Sequence, residues 1–180
     1  MCGRYSNADD ARLAELVHRL SETLGEPLST GEIHPGDRAP VYVGANRLSL
    51  TALKWGFDIG RDRPLINARS ETVAEKSLFS PLLRDNRVFI PASSYFEWDG
   101  EKRRHTLGMG GGFYMAGLYR PNDGSFVILT REAAEGIRYI HSRMPVIFSK
   151  NTALEWIKRE NDPLRVLLDA QTETVKEVVL

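Results

Sequence analysis

The sequence predicts an α+β fold carried by one domain over residues 1–180. Three observations lead there. Short runs rich in β-branched and aromatic residues recur along the chain, brief helical patterns sit between them, and no linker, repeat or low-complexity tract divides it. A chain of 180 residues is of single-domain size and buries about two-thirds of the surface that its unfolded form exposes.

The first element spans residues 8–24, "ADDARLAELVHRLSETL", where Leu13, Leu16, Val17, Leu20 and Leu24 recur at helical spacing. Asn7 suits its start and Gly25 its end. His18 lies between two of those leucines and faces outward. The Pro- and Gly-bearing stretch 35–40 reads as a loop. Strands follow at "PVYV" from 40, "LSLTAL" from 48, "RVFIP" from 87, "FYMAGLY" from 113, "SFVILT" from 125 and "PVIF" from 145. Helices are expected at "SETVAEKSLF" capped by Ser70, at "REAAEGIRYI" after Thr130, at "TALEWIKRE" capped by Asn151 or Thr152, and from Asp162-Pro163 to Leu168. The run "GMGGG" at 108–112 has neither the Lys-Ser/Thr of a phosphate loop nor a strand-to-helix setting, so it reads as a turn between strands.

Composition narrows the function classes. Hydrophobic residues at 42% and charged residues at 27% describe an ordinary globular chain. No apolar run nears the ~20 residues of a membrane span, and a basic-then-apolar leader is missing, so a cytoplasmic protein without a membrane partner is expected. With 24 basic and 24 acidic residues the net charge is zero, and any case for nucleic acid rests on where the arginines fall. A single cysteine excludes an internal disulfide, a CxxC pair and multi-thiolate zinc sites. His18, His34, His105 and His141 lack metal-ligand spacing, so neither a metal nor another cofactor is expected.

That cysteine is Cys2. Removal of Met1 would leave it with an α-amine and a thiol on adjacent carbons. The ordinary α-amine pKa of about 7.7–8.0 leaves roughly a tenth to a fifth of the amine neutral at pH 7. Such an amine attacks an aldehyde to form a Schiff base, and the neighbouring thiol can close intramolecularly onto the same carbon, giving a five-membered thiazolidine. Gly3 allows a sharp bend just behind the nucleophile.

Three other stretches offer helpers. In "NARSET" at 67–72, Asn67 can orient the amine or thiol, or simply form a turn. In "YFEW" at 95–98, Glu97 lies among aromatics, where desolvation would keep it protonated as a general acid; the alternative is a solvent-facing strand residue. In "HSRMPVIF", His141 can move protons near neutral pH and Arg143 can grip a phosphate, although a histidine taken alone is more often structural.

Taken together, "MCGRY", "NARSETVAEKSLFSPLLRDNRVFIPASSYFEW" at 67–98, "AGLY" at 116–119, "ILT" at 128–130 and "HSRMPVI" at 141–147 resemble the SOS-response-associated peptidase (SRAP) family, in its motif order, from position 2 to about 148. The resemblance implies a mainly antiparallel curved sheet or open barrel with peripheral helices. It also implies a sensor of abasic sites in single-stranded DNA, acting as a monomer without cofactor, whose N-terminal cysteine captures the open-ring sugar aldehyde as a thiazolidine crosslink. By matching position, Cys2 would crosslink, Asn67 would orient it, Glu97 would assist ring opening and proton transfer, and His141 would assist Schiff-base chemistry and reversal. Arg4, Arg69 and Arg143 would bind phosphates, Trp55 would lie against DNA, and Arg84 and Arg87 are further DNA-binding candidates. Two departures stand out: Ser142 replaces the acid of the usual HDRMP, and "FDIGRDRP" replaces the segment usual after Trp55-Gly56.

Two other functions fit parts of the pattern. Met-Cys-Gly also opens glutamine-amidotransferase domains, so an amidohydrolase or thiol peptidase could use the Cys2 thiol with its own amine as base. A module that binds single-stranded DNA without covalent chemistry is the other.

Overall fold

In the computed structural model, which describes residues 2–7, 11–44, 47–170 and 175–178, the chain forms two sheets sharing one core. Strands β1 (Arg4–Ser6), β2 (Glu32–Ile33), β7 (Ser94–Trp98), β8 (Arg104–Gly108) and β13 (Lys176–Glu177) make a five-stranded sheet in the order β13-β8-β7-β1-β2. The eight-stranded sheet holds β3 (Arg38–Val43), β4 (Ser49–Trp55), β5 (Asn67–Arg69), β6 (Arg87–Ala92), β9 (Phe113–Arg120), β10 (Ser125–Glu132), β11 (Arg143–Pro145) and β12 (Ile147–Phe148).

The larger sheet curls until it closes. Strand β10 pairs antiparallel with β9 and parallel with β4, so the path β10-β4-β3-β6-β9 returns to β10, a closed barrel where a curved sheet or open barrel was expected. Most pairings are antiparallel; those of β10 with β4 and β5 are parallel. The chain crosses from β6 into β7 at Ser93, whose backbone N–H donates to Ser6 O (2.7 Å). This crossing carries the barrel wall into the second sheet. Tyr5, Ile33, Trp55, Ile90, Tyr95, Met115 and Phe126 fill the shared interior.

Helices cover the outside. On α1 (Ala11–Leu24), Leu13 and Val17 pack against Leu28 and Ala52. Gly25 ends it at φ +68, with the Gly25 and Glu26 amides donating to Glu22 O and Ser21 O, a Schellman arrangement. The expected start at 8 lies outside the described residues; Asn7 Oδ1 accepts from the Gly31 amide (3.0 Å). Helices α2 (Ser80–Asp85), α3 (Lys150–Trp156) and α4 (Pro163–Leu168) bury Leu83, Ala153, Trp156, Val166 and Leu167 against the opposite barrel wall. Asp162 caps α4 through its side chain, as expected. Ser149, rather than Asn151 or Thr152, caps α3.

Two expected helices are replaced by tertiary pairing. The Ser70 amide donates to Thr130 O (2.8 Å), continuing the β5–β10 association; residues 70–79 form turns, and helix begins only beside Pro81. After Thr130, Arg131 and Glu132 stay in β10 opposite Met144 and Arg143, leaving only a 3-10 turn at Glu135–Ile137. The run "PVIF" divides between β11, on β10, and β12, on β9. Among the described residues, no helix is long and apolar enough to cross a membrane.

Candidate active site

Cys2 lies just ahead of β1, which threads between β2 and β7. Its side chain is fully buried, with Sγ 3.7 Å from Arg4 O. Asn67 reaches it from the other sheet: its Nδ2 donates to Cys2 O at 3.0 Å. Alternation along β5, whose neighbour is β10, turns this amide inward, where the residue is 7% exposed. The Asn67 Oδ1 is buried without a hydrogen-bond partner among the described residues. One half of the amide therefore fixes the main chain of Cys2, and the other half is an acceptor held ready for a donor.

Glu97 follows from the register of β7 on β1, Tyr5 opposite Tyr95 and Arg4 opposite Phe96, which puts Glu97 near the turn that carries Cys2. It is 3% exposed, and burial raises its pKa above the ordinary carboxylate value. A carboxyl in that state holds its proton to higher pH, as a general acid requires. Burial first and the Glu97 charge second push the Cys2 thiol well above its ordinary range. The thiol is thus protonated at neutral pH.

His141 is positioned by β11: its Nδ1 lies 2.9 Å from the Arg143 backbone nitrogen and 3.3 Å from the Arg143 carbonyl oxygen. Burial above all lowers its pKa, so the imidazole stays neutral to below the usual histidine range. Ser142 is exposed, and its carbonyl accepts from the Ala133 amide (3.0 Å).

The arginines divide. Arg69 is exposed on β5, two residues beyond Asn67. Arg143 is committed to a bidentate pair with Glu71 (2.7 and 2.8 Å) and to Thr130 O (2.7 Å). Arg4 pairs with Glu32 (3.1 Å) and lies over the Trp98 ring. Arg84 is an exposed residue of α2 paired with Asp85.

Two expectations need correction. Trp55 is fully buried between Tyr5 and Phe126, and its Nε1 donates to Ile66 O (3.0 Å), so it offers no face to a base. Arg87 is 4% exposed and donates to the carbonyls of Leu83, Arg84, Trp156 and Lys158, so it offers no head to a phosphate.

Sequence reasoning also passed over residues that shape the site. The hydroxyls of Tyr5 and Tyr95 are buried without partners among the described residues, and their pKa values are raised by burial first and by Cys2 second. The alternation of "YFEW" signals Tyr95, because it must share a face with Glu97. Glu71 was legible only as the acid of "NARSE", with nothing local to name Arg143 as its partner.

Comparison with known proteins shows the family and the fold. The family described as "SOS response associated peptidase (SRAP)" matches residues 1–179. The abasic site processing protein YedK of Escherichia coli is 31% identical over 179 residues, covering 89% of this chain and 81% of YedK. The abasic site processing protein YoaM of Bacillus subtilis is 35% identical over 184 residues, covering 89% of this chain and 81% of YoaM. Among solved structures, a protein from Bacteroides thetaiotaomicron superposes with a TM-score of 0.78 at 20% identity, covering 98% of this chain and 90% of that one. A phage-related protein from Bordetella bronchiseptica gives 0.77 at 23% identity, covering 98% and 94%. At those identities the two structures speak for the fold alone.

Proposed function

The chain belongs to the SOS response associated peptidase family, and from that premise we propose that it processes abasic sites in single-stranded DNA by covalent capture at Cys2. The observation that carries the proposal is the Asn67 bridge, which fixes the Cys2 main chain beside a buried carboxyl and leaves a bare amide oxygen.

Removal of Met1 converts Cys2 from an acylated residue into an amino-thiol. Its neutral amine attacks the aldehyde carbon of the ring-opened sugar to form a C–N bond. Asn67 Oδ1 accepts the amine hydrogen, and His141 relays the proton lost by nitrogen to the former aldehyde oxygen, giving the carbinolamine. Glu97 protonates that hydroxyl, water leaves, and the resulting iminium returns its N–H proton to the Glu97 carboxylate, giving the imine. The thiol adds across that imine: a C–S bond forms and the S–H proton passes to nitrogen, closing the thiazolidine. One water is lost overall.

The state of the thiol favours amine-first chemistry. An amidohydrolase or thiol peptidase needs a thiolate to attack a carbonyl, whereas burial here holds Cys2 protonated. In the proposed sequence the thiol acts last, on an activated carbon within its own residue, where proximity compensates for low acidity. Arg69, exposed beside Asn67, is suited to a phosphate flanking the lesion.

The test is conjugation. Protein whose intact mass shows loss of Met1, mixed with single-stranded DNA bearing one abasic site, should give a heat-stable conjugate that Cys2→Ala abolishes. A conjugate that survives Cys2→Ala, or normal binding of the lesion strand with no conjugate, would overturn the proposal.

A further inference from the structure

We propose that Arg4 and Arg104 form a phosphate subsite for the DNA strand beside the captured sugar, and that Glu32 occupies it as an internal competitor in the free protein. The inference rests on the DNA-processing role above and extends it from Arg4 to two residues outside the family motifs, Glu32 and Arg104.

The subsite is assembled by register. Ser6 pairs with Glu32, Arg4 with Phe96, and Trp98 with Arg104, so Arg4, Glu32, Phe96, Trp98 and Arg104 share one face of the five-stranded sheet. Two guanidiniums converge there on one carboxylate. Arg4 Nη1 is 3.1 Å from Glu32 Oε1, and Arg104 Nη2 is 2.6 Å from Oε2. His34 Nε2 approaches the same Oε1 at 3.7 Å. Aromatic rings hold both arginine heads in place: Arg4 lies 5.1 Å above the Trp98 ring centre and Arg104 lies 3.9 Å above that of Phe96.

Charge and exposure identify the ligand. Two positive groups facing one carboxylate leave one positive charge unbalanced, the charge that a phosphodiester would neutralise. The side chains of Arg4 and Arg104 are 41% and 43% exposed, so a strand can reach them. Ion pairs this exposed are weak and give way to competing anions. Each guanidinium offers a planar fork suited to phosphate oxygens. Arg4 is two residues from Cys2, about 7 Å along an extended chain, a spacing that a strand whose sugar is held at Cys2 can bridge.

The test is the salt dependence of binding to a fluorescently labelled, lesion-free single strand, read by anisotropy. Arg104→Ala should weaken binding at low salt and reduce the slope of log K against log salt by about 0.7, the contribution of one phosphate contact on a single strand. Glu32→Gln should tighten binding several-fold at low salt. Arg19→Ala removes an exposed arginine from α1 and should leave the slope unchanged. The proposal is overturned if Arg104→Ala keeps the wild-type slope, if Glu32→Gln weakens binding, or if Arg19→Ala lowers the slope equally. Conjugation to an abasic strand is scored in parallel. A lowered Arg104→Ala slope without any wild-type conjugate would retain the subsite and remove the capture chemistry; a conjugate with an unchanged slope would do the reverse.

Discussion

Replacing Arg87 by alanine should cost stability and leave DNA affinity alone. The guanidinium is buried between the C-terminal ends of α2 and α3, where it donates to Leu83 O (2.8 Å), Arg84 O (3.2 Å), Trp156 O and Lys158 O. It also packs against the Trp156 ring, 5.5 Å from its centre. The contacts to Leu83 and Trp156 are themselves fully buried, so truncation strands two helix-terminal carbonyls away from water. Hydrogen bonds to a charged donor contribute about 1.5–3 kcal/mol each, so the loss is about 3 kcal/mol at the low end. In a domain of this size each kcal/mol lowers the melting temperature by about 2–4 °C, giving a fall of ~6–12 °C. Circular dichroism melts at neutral pH read the fall. Anisotropy with a single strand, measured well below both transitions, should show wild-type affinity and salt slope. Arg87→Met keeps most of the stem's volume, so a comparable fall there assigns the loss to hydrogen bonds rather than packing. A variant that melts with the wild type but loses about 0.7 of salt slope would refute the reasoning and restore Arg87 as a phosphate ligand.

Glu97→Gln should slow conjugate formation by about 10²–10⁴-fold, the usual contribution of a positioned acid, and should flatten the part of the pH–rate profile governed by the carboxyl's raised pKa; rates equal to wild type across pH would leave Glu97 a structural role. His105 receives Asp99 and Glu177 on its two ring nitrogens (3.1 and 2.8 Å), and those hydrogen bonds, Asp99 first, raise its pKa. Stability from a raised histidine is complete below its unfolded pKa of about 6.5 and is lost as pH rises through the folded value. The melting-temperature gap between wild type and His105→Gln should therefore narrow from pH 6 to pH 9, and a constant gap would show that the imidazolium does not hold β13 to β8.

How far the sequence alone could lead depended on whether a residue's role was local. Continuous apolar, β-branched and aromatic runs such as "FYMAGLY" and "SFVILT" name their own strands, and Asp162-Pro163 names its own helix, because the deciding interactions lie within a few positions. "SETVAEKSLF" misleads because its competitor is remote: the Ser70 amide is claimed by Thr130, 60 positions later. Cys2, Asn67 and Glu97 were legible through chemistry and motif. Trp55 and Arg87 were not, since exposure is a property of the closed barrel. An arginine in a motif reads the same whether it faces a phosphate or caps two helices. The Arg4–Glu32–Arg104 convergence needs three separate strand pairings, none of them visible before the sheet is assembled.

The placement of β1 also sets a timetable. The first strand has its main neighbour in Ser94–Trp98, so Cys2 cannot be enclosed until roughly a hundred residues have left the ribosome. At ~5–20 residues per second that interval lasts about 5–20 s. Until Ser94–Trp98 arrives Cys2 lacks its partner strand; once that strand is paired with β1, Cys2 is fully buried. Under the capture proposed above, the share of competent molecules would be set by when Met1 is removed relative to the arrival of the seventh strand.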